Sequence, residues 1–302
     1  MGGYSEFLPP QPALCPSESS FSEPHKPELD ITDVKTKPPL KALSFSGCGG
    51  MVPYVLGVAK AIGEDFDLSS CTFSGASGGT APAAMLAAEG DIEEFFEKCV
   101  LPGTEELGTR WHGAFGNGLE IVSKWMKQYF PKDMYRRVNS RVTFVVTSVF
   151  PRPCVISHSH FEDTEDMANC MRASCMIPGL LSLCPGSWYR GALCLDGGFG
   201  HNQPVLPGLS HVTVRIYPSK FRAMSPLWIL PFADAAWNRH LFWTGYWDGK
   251  TNAKKIELEG KGLVFDAGWC QYQMVSMSIL YELFGFCIRC VIKLIVVFTR
   301  MS

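Results

Sequence analysis

Along the first forty residues the hydrophobic positions follow no period; Pro, Ser and Glu dominate, as in a solvated leader or a segment draped on a surface. Regular patterning begins near Leu40. Residues 41–46 (KALSFS) read as a short strand, Gly47-Cys48-Gly49-Gly50 as a glycine loop, and residues 53–62 (PYVLGVAKAI) as a helix with Pro near its first turn. The same grammar then repeats. Residues 70–74 (SCTFS) make a second strand, 75–79 (GASGG) a tight turn, and 81–88 (APAAMLAA) a strong helix former with Pro82 suited to a first turn. Strand, crossover helix and strand of this length predict a right-handed βαβ unit whose parallel strands end side by side. The loop 47–50 and the turn at Ser77 should therefore face each other at one edge of a sheet, where open α/β folds bind ligands.

Further on, residues 141–149 (RVTFVVTSV) predict an apolar, β-branched strand, and 154–158 (CVISH) continue a sheet. Residues 164–174 predict a helix capped by Thr164 and stopped by Pro178. Residues 191–195 (GALCL) run as a strand straight into Asp196-Gly197-Gly198, and 211–217 form another strand. The element order argues for a sheet covered by helices. The aromatic stretch from Trp228 to Trp247 suits either core packing or an acyl-chain groove or interfacial anchor. Residues 278–298 are almost continuously apolar and about long enough to span a bilayer, yet contain Glu282, Arg289 and Lys293. At about 100° per residue these charges fall within ~40° of one another, as in a helix lying in a membrane interface or packed on the domain.

Composition narrows the classes. The 302 residues are 46% hydrophobic and 19% charged, enough for a sizeable core. A net charge of -2 without a basic stripe argues against a nucleic-acid partner. The 12 cysteines are scattered singly, several in apolar runs (Cys71, Cys194), which points to a reducing compartment. The opening MGGYSEFLPPQP makes no secretory signal, and Glu6 stands where myristoylation would want Ser or Thr. Cys287 and Cys290 form one CxxC, expected to be two residues on a helix rather than a zinc site.

The chemistry gathers at three places. Gly75-Ala76-Ser77-Gly78-Gly79 fits GxSxG, in which glycines leave room for a serine on a tight strand-to-helix turn. Chance supplies on the order of 0.2 matches in such a chain, so the motif alone is also read as an ordinary turn. Its place between an apolar strand and an alanine-rich helix favours a nucleophile. The loop Gly47-Cys48-Gly49-Gly50 offers backbone N–H groups to an oxyanion, with the Gly78 amide as a further donor. A plain turn or a phosphate cradle are its other readings; no GK[ST] follows, and Val52 replaces the last glycine of a GxGxxG. Serine needs a base. None of His25, His112, His158, His160, His201, His211 and His240 has a signature around it, and a two-His metal site at His158 and His160 lacks a third ligand. Asp196, closing a strand ahead of two glycines, is the better base, with a turn aspartate as its bland role.

GCGG after a strand, GASGG about thirty residues on, and DGG after a later strand together resemble the patatin-like phospholipase family. SFSGCGG and residues 171–178 (MRASCMIP) look most like its adiponutrin-type branch. The resemblance runs from about Leu40 to Gly208 and implies a three-layer α/β/α sandwich with a mostly parallel central sheet and a nucleophile elbow. It also implies a Ser-Asp dyad without histidine on Ser77 and Asp196, an oxyanion loop at 47–50, and hydrolysis of lipid esters through an acyl-enzyme, with no metal or cofactor. Val52 stands where family loops commonly end in glycine, Gly79 where many relatives carry alanine or another small residue, and nothing beyond Pro218 matches a family element. The domain reading is a leader over 1–39, a catalytic domain over 40–218, and an aromatic-rich region over 219–302 ending in an amphipathic helix. Expected partners are an acylglycerol or phospholipid and a membrane or lipid-droplet surface, approached peripherally from the cytoplasm. Three rivals remain: a lipid transacylase, an α/β-hydrolase whose triad uses His211 or His240, and a lipid-surface binding protein without turnover.

Overall fold

The computed structural model describes residues 37–110, 113–207, 212–214 and 235–259, with side chains described as far as residue 253. The first strand and helix follow the pattern closely. Strand β1 (Ala42–Phe45) is buried at every position, as a parallel strand covered on both faces must be. A tight turn over Gly49–Met51 leads into α1 (Val52–Asp65), with Pro53 in its first turn. Strand β2 (Thr72–Ala76) passes through a short turn (Ser77–Gly79) into α2 (Thr80–Ala87), whose residues are all buried. Helix α3 (Ile92–Phe95) continues through a wider π-helical turn (Phe96–Val100) into α4 (Leu101–Gly108), and α5 (Gly118–Tyr129) and α6 (Met134–Val138) precede the long strand β3 (Val142–Phe150).

Strand β4 (Cys154–His158), helix α7 (Thr164–Ser174), strands β5 (Ser187–Tyr189) and β6 (Ala192–Leu195), helix α8 (Gly197–His201), strand β7 (Val212–Val214) and helix α9 (Ala235–Glu259) complete the described chain. The predicted cap of α7 is displaced by one residue. Asp163, not Thr164, caps the helix by accepting the Asp166 amide, whereas the Thr164 hydroxyl donates to the carbonyls of Pro131 and Lys132. A carboxylate accepts more strongly than a hydroxyl, and Thr164 is drawn to the preceding loop.

The domain is mixed α/β around a mostly parallel central sheet. Among the described residues β7, β1, β2 and β3 run parallel, while β4 and β6 pair antiparallel with β3, and β5 with β6. Register puts Phe45 opposite Gly75 and Ala76 opposite Val145, so the carboxyl ends of β1 and β2 lie side by side, level with the middle of β3. Helices α2, α7 and α8 lie against the sheet.

Helix α1 is apolar nearly all round because α9 covers it along its length. Glycines allow the close approach: a Cβ on Gly57 would stand 1.9 Å from Phe242 O, one on Gly245 2.0 Å from Tyr54 O. Phe242 stacks on Phe96 at 4.4 Å, and Tyr54 donates to Asp248 at 2.6 Å. The aromatic stretch thus divides, with Phe242 in the core and Trp243 and Trp247 exposed. The other aromatics before residue 235, the apolar run 278–298, Cys287 and Cys290 lie outside the described residues.

Candidate active site

Ser77 sits where β2 stops, and it stops abruptly. Its φ of 52° is left-handed, a conformation that costs a non-glycine residue about 1–2 kcal/mol. The surrounding glycines permit this turn. A Cβ on Gly75 would lie 2.5 Å from Gly79 O, and one on Gly79 would lie 2.4 Å from Ser46 O. Both clashes are with backbone, which cannot step aside, so Gly79 is required here by the approach of the β1 end.

Asp196 arrives differently from Ser77. The two parallel strands carry the serine turn and the glycine loop to one rim, as expected, but the carboxylate comes in on β6, which runs antiparallel to β3. Four bonds fix it. Its amide donates to Met176 O (2.7 Å), its carbonyl accepts from the Thr147 hydroxyl (2.8 Å), Oδ1 accepts the Gly198 amide (2.7 Å), and Oδ2 accepts the Ser77 hydroxyl at 2.6 Å. Gly197 must be glycine, since a Cβ there would stand 2.2 Å from Val145 O.

Ser77 and Asp196 are 7% and 5% exposed. Burial pushes the Asp196 carboxyl up from the usual carboxylate range to about 6, with the bonds from Ser77 and Gly198 pulling it partly back. A carboxylate so placed is a stronger base than one in water, yet still ionised near neutrality. Cys48 and Cys175 flank the pair, and burial pushes both thiols up, with Asp196 adding to the effect. They stay neutral and compete poorly as nucleophiles.

The glycine loop faces Ser77, with one correction. The Gly47 amide donates to Asn202 O at 3.1 Å and is not a free oxyanion donor. Gly47 serves by its lack of a side chain, for a Cβ would stand 2.6 Å from Asn202 Oδ1 and 3.2 Å from Ser77 Cβ. The first bond of the following turn is Met51 N to Cys48 O, which leaves the amides of Cys48, Gly49 and Gly50 without an acceptor inside it. Gly78 likewise precedes the first bond of its own turn, Thr80 N to Ser77 O. Gly49 has a φ of 53°, and the Cys48 thiol and Val52 side chain fill the space over Gly78.

Of the histidines within the described residues, none hydrogen-bonds to Ser77 or Asp196. His158 lies edge-on to Tyr189, His240 against Trp237, and His160 and His201 are exposed. His25, His112 and His211 lie outside the described residues. No group of three metal-ligating side chains occurs among the described residues. Sequence reasoning assigned no role to Ser174, Thr147 or Asn202, each of which contacts the dyad or its loop through pairings distant in sequence.

A family model described as Patatin-like phospholipase matches residues 43–209, more than half of the chain and all of this site. The chain belongs to the patatin-like phospholipase family. Within that family, it is 27% identical over 57% of its length to 1-acylglycerol-3-phosphate O-acyltransferase Pnpla3 of Mus musculus, covering 43% of that protein. It is 28% identical, again over 57% of its length, to Patatin-like phospholipase domain-containing protein 2 of Homo sapiens, covering 35% of it. The chain spans less than half the length of these curated relatives. Among solved structures, VipD from Legionella pneumophila aligns with a TM-score of 0.41 and 17% identity over 62% of this chain and 51% of that one. A chain of the SpcU complex with ExoU from Pseudomonas aeruginosa aligns with a TM-score of 0.37 and 13% identity over 73% and 53%. The patatin-like phospholipase match covers GCGG, GASGG and DGG.

Proposed function

We propose that the chain is a lipid acyl hydrolase in which Ser77 is the nucleophile and Asp196 the general base. The observation that carries this reading is the 2.6 Å bond from the Ser77 hydroxyl to a buried carboxylate held near pKa 6. Asp196 accepts the hydroxyl proton as Oγ attacks the ester carbonyl, and the carbonyl electrons move onto the oxygen. The amides of Cys48, Gly49, Gly50 and Gly78, none of them taken by its own turn, are the proposed donors to that oxyanion. Collapse expels the alcohol, which takes the proton back from Asp196, and leaves an acyl-Ser77 ester. Water then gives its proton to Asp196, attacks the acyl carbon, and releases the fatty acid as Ser77 is reprotonated. Every proton is accounted for by one carboxyl group.

An acyl acceptor in place of water would give transacylation, and the similarity to the Mus musculus 1-acylglycerol-3-phosphate O-acyltransferase favours testing this second reading. A membrane or lipid-droplet surface is the proposed source of substrate. Supporting it, the paired loops 113–117 and 178–186 hold no charged residue and expose Phe115 and Leu183. They share a small core with Met176, whose carbonyl anchors Asp196. Among the described residues no helix is long and apolar enough to cross a membrane.

The test is purified protein with triacylglycerol and phospholipid panels, with and without a lysophospholipid acceptor, comparing wild type with Ser77→Ala. Release of fatty acid by wild type alone supports hydrolysis, and acylated acceptor as the main product favours transfer. Undiminished turnover by Ser77→Ala ends the assignment.

A further inference from the structure

Strands β2 and β3 pair in parallel as far as Ala76 and Val145. At the next residue the chain leaves the ladder: the pattern set by Phe73 N to Arg141 O would send the Ser77 amide to Val145 O, but the amide bonds a side chain instead, and Ser77 itself turns left-handed. A side chain fills the gap. The Ser77 amide donates to Ser174 Oγ at 2.9 Å, and the Ser174 hydroxyl donates to Val145 O at 2.7 Å. One hydroxyl is thus spliced between a backbone donor and acceptor that the elbow has pulled apart.

Three features distinguish Ser174 from an ordinary buried helix serine. A serine inside a helix commonly bonds the carbonyl four residues back, but both bonds of Ser174 leave α7. It is 0% exposed, so no water replaces them. The other half of the dyad also rests on it, since a Cβ on Gly197 would lie 3.0 Å from Ser174 Oγ and 2.2 Å from Val145 O. Serine turn, Asp196 arm and sheet converge on this hydroxyl and carbonyl.

We infer that Ser174 is a positioning residue, whose hydroxyl holds the Ser77 elbow at the separation from Asp196 that proton transfer requires. The inference rests on the proposed roles of Ser77 and Asp196. Without the hydroxyl, two buried backbone groups lose their partner, and the Ser77 amide is drawn toward Val145 O, back toward the strand ladder. That shift carries Oγ away from Asp196.

The experiment uses the full chain as wild type, Ser174→Ala, Ser174→Thr and Cys170→Ala. Cys170 is fully buried one turn earlier on α7 and serves as a packing control. Labelling of Ser77 by a fluorophosphonate, kcat and KM on an ester, exchange of the Ser77 amide with deuterium, and Tm are measured. Ser174→Ala is expected to lower kcat and the labelling rate about 100-fold, the scale of a 1 Å misplacement, with KM within about twofold. Its Ser77 amide should exchange at least about tenfold faster once it loses its acceptor. Ser174→Thr, which keeps the hydroxyl, should recover most of both, and Cys170→Ala should lower Tm while labelling at the wild-type rate.

Wild-type labelling by Ser174→Ala, or equal slowing by Cys170→Ala, overturns the inference. If Ser174→Ala does not fold, Ser174→Cys, a weaker donor and acceptor, should label at an intermediate rate, and a wild-type rate again overturns it. Failure of the wild type itself to label refutes the proposed function instead. The positioning role is then decided by amide exchange, and unchanged exchange in Ser174→Ala rejects it.

Discussion

Ser77 Oγ and Asp196 Oδ2 stand 2.6 Å apart although 119 residues separate them. Strand β3 is the reason. Its Val145 pairs with Ala76, one residue before the serine, and its Thr147 pairs with Leu195, one residue before the aspartate. One strand therefore sets the spacing of both groups.

Activity should follow the ionisation of Asp196. The carboxyl is raised from 3.8 to about 6 by burial, and only the ionised form accepts the Ser77 proton. The rate is expected to climb through pH 6 and level off above about pH 7. A pH profile of kcat/KM with its lower limb near the ordinary carboxylate value would count against Asp196 as the base.

Stability should move the other way. Between pH 3.8 and about 6 the folded state binds the Asp196 proton and the unfolded chain releases it, so stability falls as pH rises through this window. Above it the buried charge costs about 3 kcal/mol, the equivalent of raising the carboxyl from 3.8 to about 6. Asp196→Asn, which carries no charge, should be inactive yet melt a few degrees above wild type at pH 8, with no gain at pH 4. Thermal melts at the two pH values decide this; a variant less stable at pH 8 contradicts the burial argument.

Gly78→Ala should damage the oxyanion loop rather than the fold. The new Cβ would meet Cys48 Sγ at 2.6 Å and Val52 Cγ2 at 2.8 Å, both side-chain atoms able to move and carry the loop with them. A displaced oxyanion donor costs about 10²–10³ in kcat. Adding Cys48→Ala removes the nearer atom and should restore part of the rate; a double variant no faster than Gly78→Ala would show that the loop was not the cause.

Gly245→Ala should loosen the α1 and α9 pair. Its Cβ would fall 2.0 Å from Tyr54 O and 2.8 Å from Tyr54 C, and backbone does not yield as side chains do. We expect a loss of about 1–3 kcal/mol in urea unfolding, the usual scale of overpacking. An unchanged midpoint would mean that this helix contact contributes little.

Much of this architecture was legible in the chain because it is written locally. Buried strands show as short apolar runs, helices as 3.6-residue spacing, and the turns at Gly47, Ser77 and Asp196 as glycines that only a close approach explains. The departures all involve distant partners. Thr164 lost the cap to Asp163 because its hydroxyl found Pro131 and Lys132, and the Gly47 amide was claimed by Asn202.

The sequence by itself determined that a serine turn and a glycine loop would share one rim, since a right-handed crossover of that length leaves little choice. Tertiary structure decided that Asp196 would enter on an antiparallel strand, that Ser174 would bridge the elbow to β3, and that α9 would seal α1 through facing glycines. Such pairings depend on which strands become neighbours and how nearly backbones touch, and no periodicity along a single segment encodes either.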